Sequence, residues 1–188
     1  GTLPPGGINL SWDECGAAGV GLKTFACNTN TGPPFVLVGS FTPPPGMTEF
    51  VGLTAELAIE GNETLPDWWK HGVGYCRGSG GLTPLSLPTS APCDNPGVGL
   101  SELAYEVGFY GPNTARLEVI ASGPPMNLSS SEEYYAFRVG VERSKSTGAG
   151  NCWECSRPVR VSLNSIQLFQ NTIVGFDPIL MNPMLRRE

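Results

Sequence analysis

The chain has one histidine, His71, and 28 charged residues of either sign in 188, with no stretch of 18 apolar residues. Each shortage excludes something. Without a long apolar run, nothing in the sequence spans a bilayer as a helix. The net charge is −6 and lysines and arginines form no stripe, which disfavours nucleic acid and an anionic membrane surface as partners, since neither phosphate array meets a cationic face. There is no G-x-S-x-G elbow, no glycine-rich turn between a strand and a helix to cradle phosphate, and no D-x-D-x-D-G calcium loop. A single histidine leaves little scope for general-base chemistry at neutral pH. No cofactor, metal or enzymatic activity is expected.

What the chain does have is cysteine, glycine and proline. Six cysteines fall into three pairs by proximity, Cys15 with Cys27, Cys76 with Cys93 and Cys152 with Cys155. An even count at short spacing reads as disulfide stapling in an oxidising compartment, and the absence of an initiator methionine or apolar leader fits an exported chain whose targeting segment is gone. Proximity is the only guide among fifteen connectivities, and it predicts these three local bridges. Gly (25) and Pro (18) are abundant, yet hydrophobic residues reach 40% and fall in short alternating runs, the composition of a folded all-β domain with many turns. At this length one domain with a real core is expected.

Strand candidates are Ile8–Trp12, Phe35–Phe41, Phe50–Ile59, Ala115–Ala121, Tyr134–Arg143 and Val159–Phe169, rich in β-branched and aromatic residues. Tyr135, Phe137, Val139 and Val141 alternate onto one face, with Arg138 and Glu142 on the other. Residues 61–100 read as a long loop held by a crosslink. Choosing one face per strand gives a core of Trp12, Leu37, Leu57, Ile59, Leu117, Val119, Phe137, Val139, Val161, Leu163, Ile166 and Leu168. Leu163 and Ile166 differ in parity, so a β-bulge near Asn164-Ser165 is implied. The expected fold is an antiparallel, jelly-roll-like β-sandwich with disulfide-stapled loops and extended terminal arms. Its divisions are an amino-terminal arm at residues 1–12, one sandwich domain at 13–172 and an apolar tail at 173–188.

Four constellations invite a chemical reading. Cys152-Trp-Glu-Cys155 could be a redox pair or half a zinc site, but no thioredoxin-like βαβ setting surrounds it and no further ligands stand free, so a structural disulfide is preferred. Glu132-Glu133 and Asp13-Glu14 are adjacent acids, which on a strand face opposite ways and so do not form a glycosidase pair. Trp68, Trp69 and Trp153 are candidate glycan platforms. Asn9, Asn62 and Asn127 each open an N-x-S/T sequon and are candidate glycosylation sites.

The segments Ser11-Trp-Asp-Glu-Cys15, Phe25-Ala-Cys-Asn28, Leu37-Val-Gly-Ser-Phe41, Pro66-Asp-Trp-Trp69 and Tyr110-Gly-Pro-Asn113 occur in order. So does the block from Glu133-Tyr-Tyr-Ala-Phe-Arg138 through Ser144-Lys145, Gly150, Cys152, Cys155, Pro158-Val159 and Ile166. Together they resemble a family of exported bacterial and environmental-sequence proteins of unassigned activity, similar to the β-sandwich protomers of helical extracellular fibrils from environmental water. The resemblance implies a secreted structural subunit, a homo-oligomer in a cell-surface filament, and no catalytic residues. The apolar tail then supplies the assembly contacts, with Ile173, Val174, Phe176, Ile179, Leu180, Met181, Met184 and Leu185 as the residues to bury on a neighbour by strand addition. The amino-terminal arm, residues 1–12, is the alternative donor, and the same tail folded back on its own sheet is the competing expectation. A secreted carbohydrate-binding module is the alternative function, and a hydrolase with dispersed acids a third.

Overall fold

The computed structural model describes residues 3–171 and 177–183. It is a β-sandwich of two antiparallel sheets. The strands are β1 Ile8–Trp12, β2 Phe35–Phe41, β3 Phe50–Gly61, β4 Leu82–Pro84, β5 Gly99–Val107, β6 Thr114–Met126, β7 Tyr134–Val141, β8 Val159–Gln170 and β9 Ile179–Met181. One sheet runs β1-β2-β7-β4 and the other β5-β6-β3-β8-β9. Single 3-10 turns at Gly16–Ala18 and Asp67–Trp69 are the helical elements among the described residues.

Alternation explains the core. On β3, Leu53, Ala55, Leu57 and Ile59 are buried while Glu56 and Glu60 face away, and β6 contributes Ala115, Leu117, Val119 and Ala121 in register with them. Of the twelve expected core residues, eleven are buried; Val161 is half-buried. The bulge implied by parity lies where expected. Glu56 pairs with Ser165 but Leu57 pairs with Leu163, so Asn164 is the extra residue that turns both Leu163 and Ile166 inward.

A second bulge went unforeseen and corrects the reading of β7. Gly39 pairs with Phe137 and Ser40 with Tyr135, leaving Ala136 unpaired. Tyr134 therefore joins the main core beside Phe41, whereas Tyr135 turns to the outer face of its sheet. Gly39 is needed opposite Phe137, because a Cβ there would stand 2.3 Å from the ring. Part of the outer face is covered: Tyr135, Val38, Cys15 and Cys93 form a small second core there, with Val36 and Leu87 packed against it.

The disulfides correct the expected pairing in every bridge. Cys15 joins Cys93, Cys27 joins Cys155 and Cys76 joins Cys152, across 78, 128 and 76 residues of sequence. Proximity along the chain failed because the sandwich brings the loop at residues 21–34, the loop at 62–81 and the β7–β8 loop to one end of the molecule. There Asn30 Oδ1 accepts from the Ser146 and Thr147 amides, Trp68 Nε1 donates to Ser146 Oγ, and Arg143 Nε donates to Pro33 O. Cys152 and Cys155 bond to different partners, so the C-x-x-C is not one ring. Three disulfides suit an oxidising, extracellular environment.

The sheets also take in parts of the expected arms. Ile8–Trp12 is an edge strand on β2, and Ile179–Met181 is an edge strand on β8 with Leu180 buried. Residues 61–100, expected as loop, supply β4 and the start of β5.

Candidate functional site

At the stapled end, β4 closes one sheet and β5 the other, and the two edges face each other without pairing. Between them lies a cavity of about 300 Å³. Leu82 and Pro84 of β4 form one wall; Ser101, Glu102, Leu103 and Tyr105 of β5 form the other. Gly72, Gly78 and Ser79 bring the connecting loop across the cavity, and His71 lines it from within that loop.

His71 is only 3% exposed, and neither ring nitrogen has a hydrogen-bond partner. Its ring meets Tyr105 edge to face at 4.8 Å. Burial, reinforced by the neighbouring Arg77 guanidinium, lowers its pKa from 6.5 to about 3, so the imidazole is neutral across the physiological range. Gly81 makes room for it: a Cβ at that position would sit 2.1 Å from His71 Nδ1.

Arg77 is buried too. It stacks over Trp68 at 4.0 Å and donates through Nη2 to Glu142 O and Gly81 O. Burial lowers its pKa to about 10, which leaves it charged at neutral pH. Tyr105 donates its hydroxyl to Trp69 O, and burial raises its pKa, so it acts as a neutral wall. Ser101 donates to Ile120 O. Among the described residues, no hydroxyl, thiol or carboxylate lies within hydrogen-bond reach of His71, so the imidazole has no nucleophile to activate. No cluster of three histidine, cysteine, aspartate or glutamate side chains among them could hold a metal.

The residues named from sequence are distributed differently. Trp68 and Trp69 are buried in an aromatic cluster with Phe25, which stacks on Phe35 at 4.0 Å, so neither offers a platform to a glycan. Trp153 is 73% exposed but makes no ring contact with another aromatic side chain among the described residues. Asn9 lies on β1 with its Nδ2 buried, which removes it as a glycosylation site; Asn62 and Asn127 are exposed. One acid of each adjacent pair holds a neighbouring hydroxyl. Glu14 accepts from Tyr135 at 2.6 Å and Glu133 from Ser40 at 2.6 Å. Of the tail residues, Ile179, Leu180 and Met181 form β9, while Ile173, Val174, Phe176, Met184 and Leu185 lie outside the described residues.

Sequence reading gave His71 little scope as a general base and missed Arg77, Tyr105 and Glu102 altogether. The one available signal was a histidine beside, and an arginine inside, a glycine cluster, Gly72 to Gly81, which permits close approach of chain segments. Comparison of this chain with protein-family models, with curated proteins and with solved structures finds no match in any of the three.

Proposed function

We propose that the chain is a secreted structural subunit that assembles into an extracellular filament by exchanging its terminal strand with a neighbour. The observation that carries this reading is β9. It is a three-residue strand on the edge of β8, in register through Ser165↔Met181, Ile166↔Leu180 and Gln167↔Ile179. One buried side chain, Leu180, anchors it. Burying a leucine contributes about 1.5–3 kcal/mol, and the segment is held further by bonds from Leu168 N to Pro178 O, Gln170 N to Asp177 Oδ1, Asn182 N to Asn164 O and Asn182 Nδ2 to Leu163 O, all of which a second copy's β8 can supply again. Domain swapping of this kind keeps every local contact and changes only which chain supplies it.

The connection permits it. Residues 171–178 join β8 to β9, and eight residues fully extended span at most about 28 Å, enough to reach an adjoining subunit. Donation of β9 to the next β8 is head-to-tail, and a head-to-tail contact that does not close generates a helical fibre. The sequence resemblance to fibril protomers supports the same reading.

The test is deletion of residues 177–188 with negative-stain microscopy and size-exclusion chromatography. Full-length protein should form regular fibres, and the truncated protein should be a folded monomer. Unchanged fibres from the truncated chain would remove the tail from the mechanism, and no fibres from the full-length chain would remove the function.

A further inference from the structure

We propose that the segment from His71 to Gly81 is an acid-released latch: protonation of His71 beside the buried Arg77 guanidinium opens it off the β4 and β5 edges while both sheets stay folded. This device is independent of β9 and of assembly.

The closed latch holds polar groups that have no partner. Both His71 ring nitrogens, and Arg77 Nε and Nη1, are buried without a hydrogen bond. The two residues are 3% and 4% exposed. Each such group forgoes the bonds that water would give it, so the closed state carries a cost that opening relieves. The groups also sit side by side, since a Cβ on Gly81 would stand 2.1 Å from His71 Nδ1 and 3.0 Å from Arg77 Nε. Packing holds the segment shut at neutral pH. The His71 ring meets Tyr105, Arg77 lies over Trp68, and Arg77 Nη2 donates to Glu142 O and Gly81 O.

The charged groups around His71 offer a proton there no relief. Arg77, on the same segment, is positive. Lys70, its neighbour in sequence, is paired with Asp67. Tyr105 of β5 is neutral and spends its hydroxyl on Trp69 O. Glu142, after β7, turns its carbonyl to Arg77 and accepts from Thr83 Oγ1 with its carboxylate. Glu102 of β5 lines the cavity but bonds to neither ring nitrogen, and β4 lines it with the uncharged Leu82 and Pro84. Lys145 donates to Cys76 O from the β7–β8 loop. A protonated His71 therefore sets a second positive charge beside Arg77 in a dry site.

The segment is jointed for movement. Gly72, Gly74 and Gly78 hold φ of +113°, +86° and +58°, and glycine moves between such conformations freely. The Cys76–Cys152 bridge stays as a tether, so opening is reversible. Once open, His71 takes a proton near 6.5, against about 3 while closed. The closed form is thus fully favoured above pH 6.5, and the opening constant grows about 70-fold between pH 7 and pH 4.5.

The test is native-state hydrogen exchange of the intact, oxidised protein at pH 7 and pH 4.5, in dilute urea, with rates corrected for intrinsic pH dependence. The reporters are the amides of Gly72, Gly78 and Glu142, which bond to Gly78 O, Tyr75 O and Gly81 O. They should lose about 70-fold in protection at the lower pH and respond little to urea, the mark of a local opening. Amides of β3, β6 and β8 should keep a steep urea dependence at both values, the mark of global unfolding. His71→Gln should lose the acid increment. Reporter amides that share the urea dependence of β3 in the wild type would overturn the proposal, whatever the variant does. So would an unchanged opening constant at pH 4.5, or an undiminished acid increment in a folded His71→Gln.

Discussion

The two ends of the sandwich are held by different means. At one end the loops at 21–34, 62–81 and 142–158 are bound by Cys27–Cys155 and Cys76–Cys152, by the aromatic cluster around Phe25 and by Arg77 and Arg143 stacked on Trp68 and Phe35. At the other end, the turns around residues 42–49 and 127–133 meet through hydrogen bonds. Leu128 N donates to Met47 O, Glu49 N to Asn127 Oδ1 and Asn171 N to Glu49 O. Phe41, Phe50 and Tyr134 pack beneath them, and β9 leaves β8 from this side. The first end is built to stay closed and frames the His71 cavity. The second carries β9, the strand that the proposed assembly donates. On that proposal, rigidity and exchange sit at opposite ends of the same β8 strand.

The largest effect should come from unstapling the closed end. Replacing Cys27 and Cys155 together by serine removes a crosslink spanning 128 residues. Loss of about 4–5 kcal/mol is expected from chain entropy alone, measured by guanidinium unfolding. Hydrogen exchange should then show that end opening first, reversing the wild-type order in which the β9 side exchanges faster. A wild-type protein whose β9 side is the better protected would break the contrast.

Leu180→Ala comes next. It removes the anchor of β9 and should cost about 2–3 kcal/mol of docking. Fibre yield should fall sharply while the sandwich keeps its circular dichroism spectrum. Equal loss of both would mean that β9 belongs to the cooperative core.

His71 supplies a pH effect of similar size. Unfolded, it takes a proton near pH 6.5; folded, only near about 3. Between these values the unfolded chain binds more protons, so this contribution is complete above about pH 6.5 and is lost progressively as pH falls toward 3. At pH 5 the loss should be about 2 kcal/mol, absent from His71→Gln in parallel urea titrations. An imidazole that titrates near pH 6.5 in the folded protein would contradict the burial. Tyr135→Phe should be mildest, about 1 kcal/mol, because it deletes the hydroxyl's bond to Glu14 and its contact with the Cys93 backbone, which back the Cys15–Cys93 patch.

The sheets were legible in the sequence because period two survives wherever a strand has one wet face and one dry face. Even the Asn164 bulge could be read, since Leu163 and Ile166 are both too apolar to face water. The Ala136 bulge was invisible because Tyr134, Tyr135 and Phe137 are all aromatic, so neither parity looked wrong. β5 was missed for a related reason: the irregularity between Leu100 and Glu102 breaks its alternation. Disulfide partners and the cavity depend on which loops the topology brings to one end. No local pattern encodes that, and so Trp68 and Trp69 looked like platforms when they are the floor of the stapled end.

Strand exchange itself is read most directly by a crosslink across the β8–β9 register. Gln167 and Ile179 are paired residues, and cysteines at both positions should bridge on oxidation. If each copy supplies β9 to the next, a non-reducing denaturing gel of assembled protein will show a ladder of covalent oligomers. A single monomer band, with the new bridge confirmed by peptide mapping, would show that β9 never leaves its own chain.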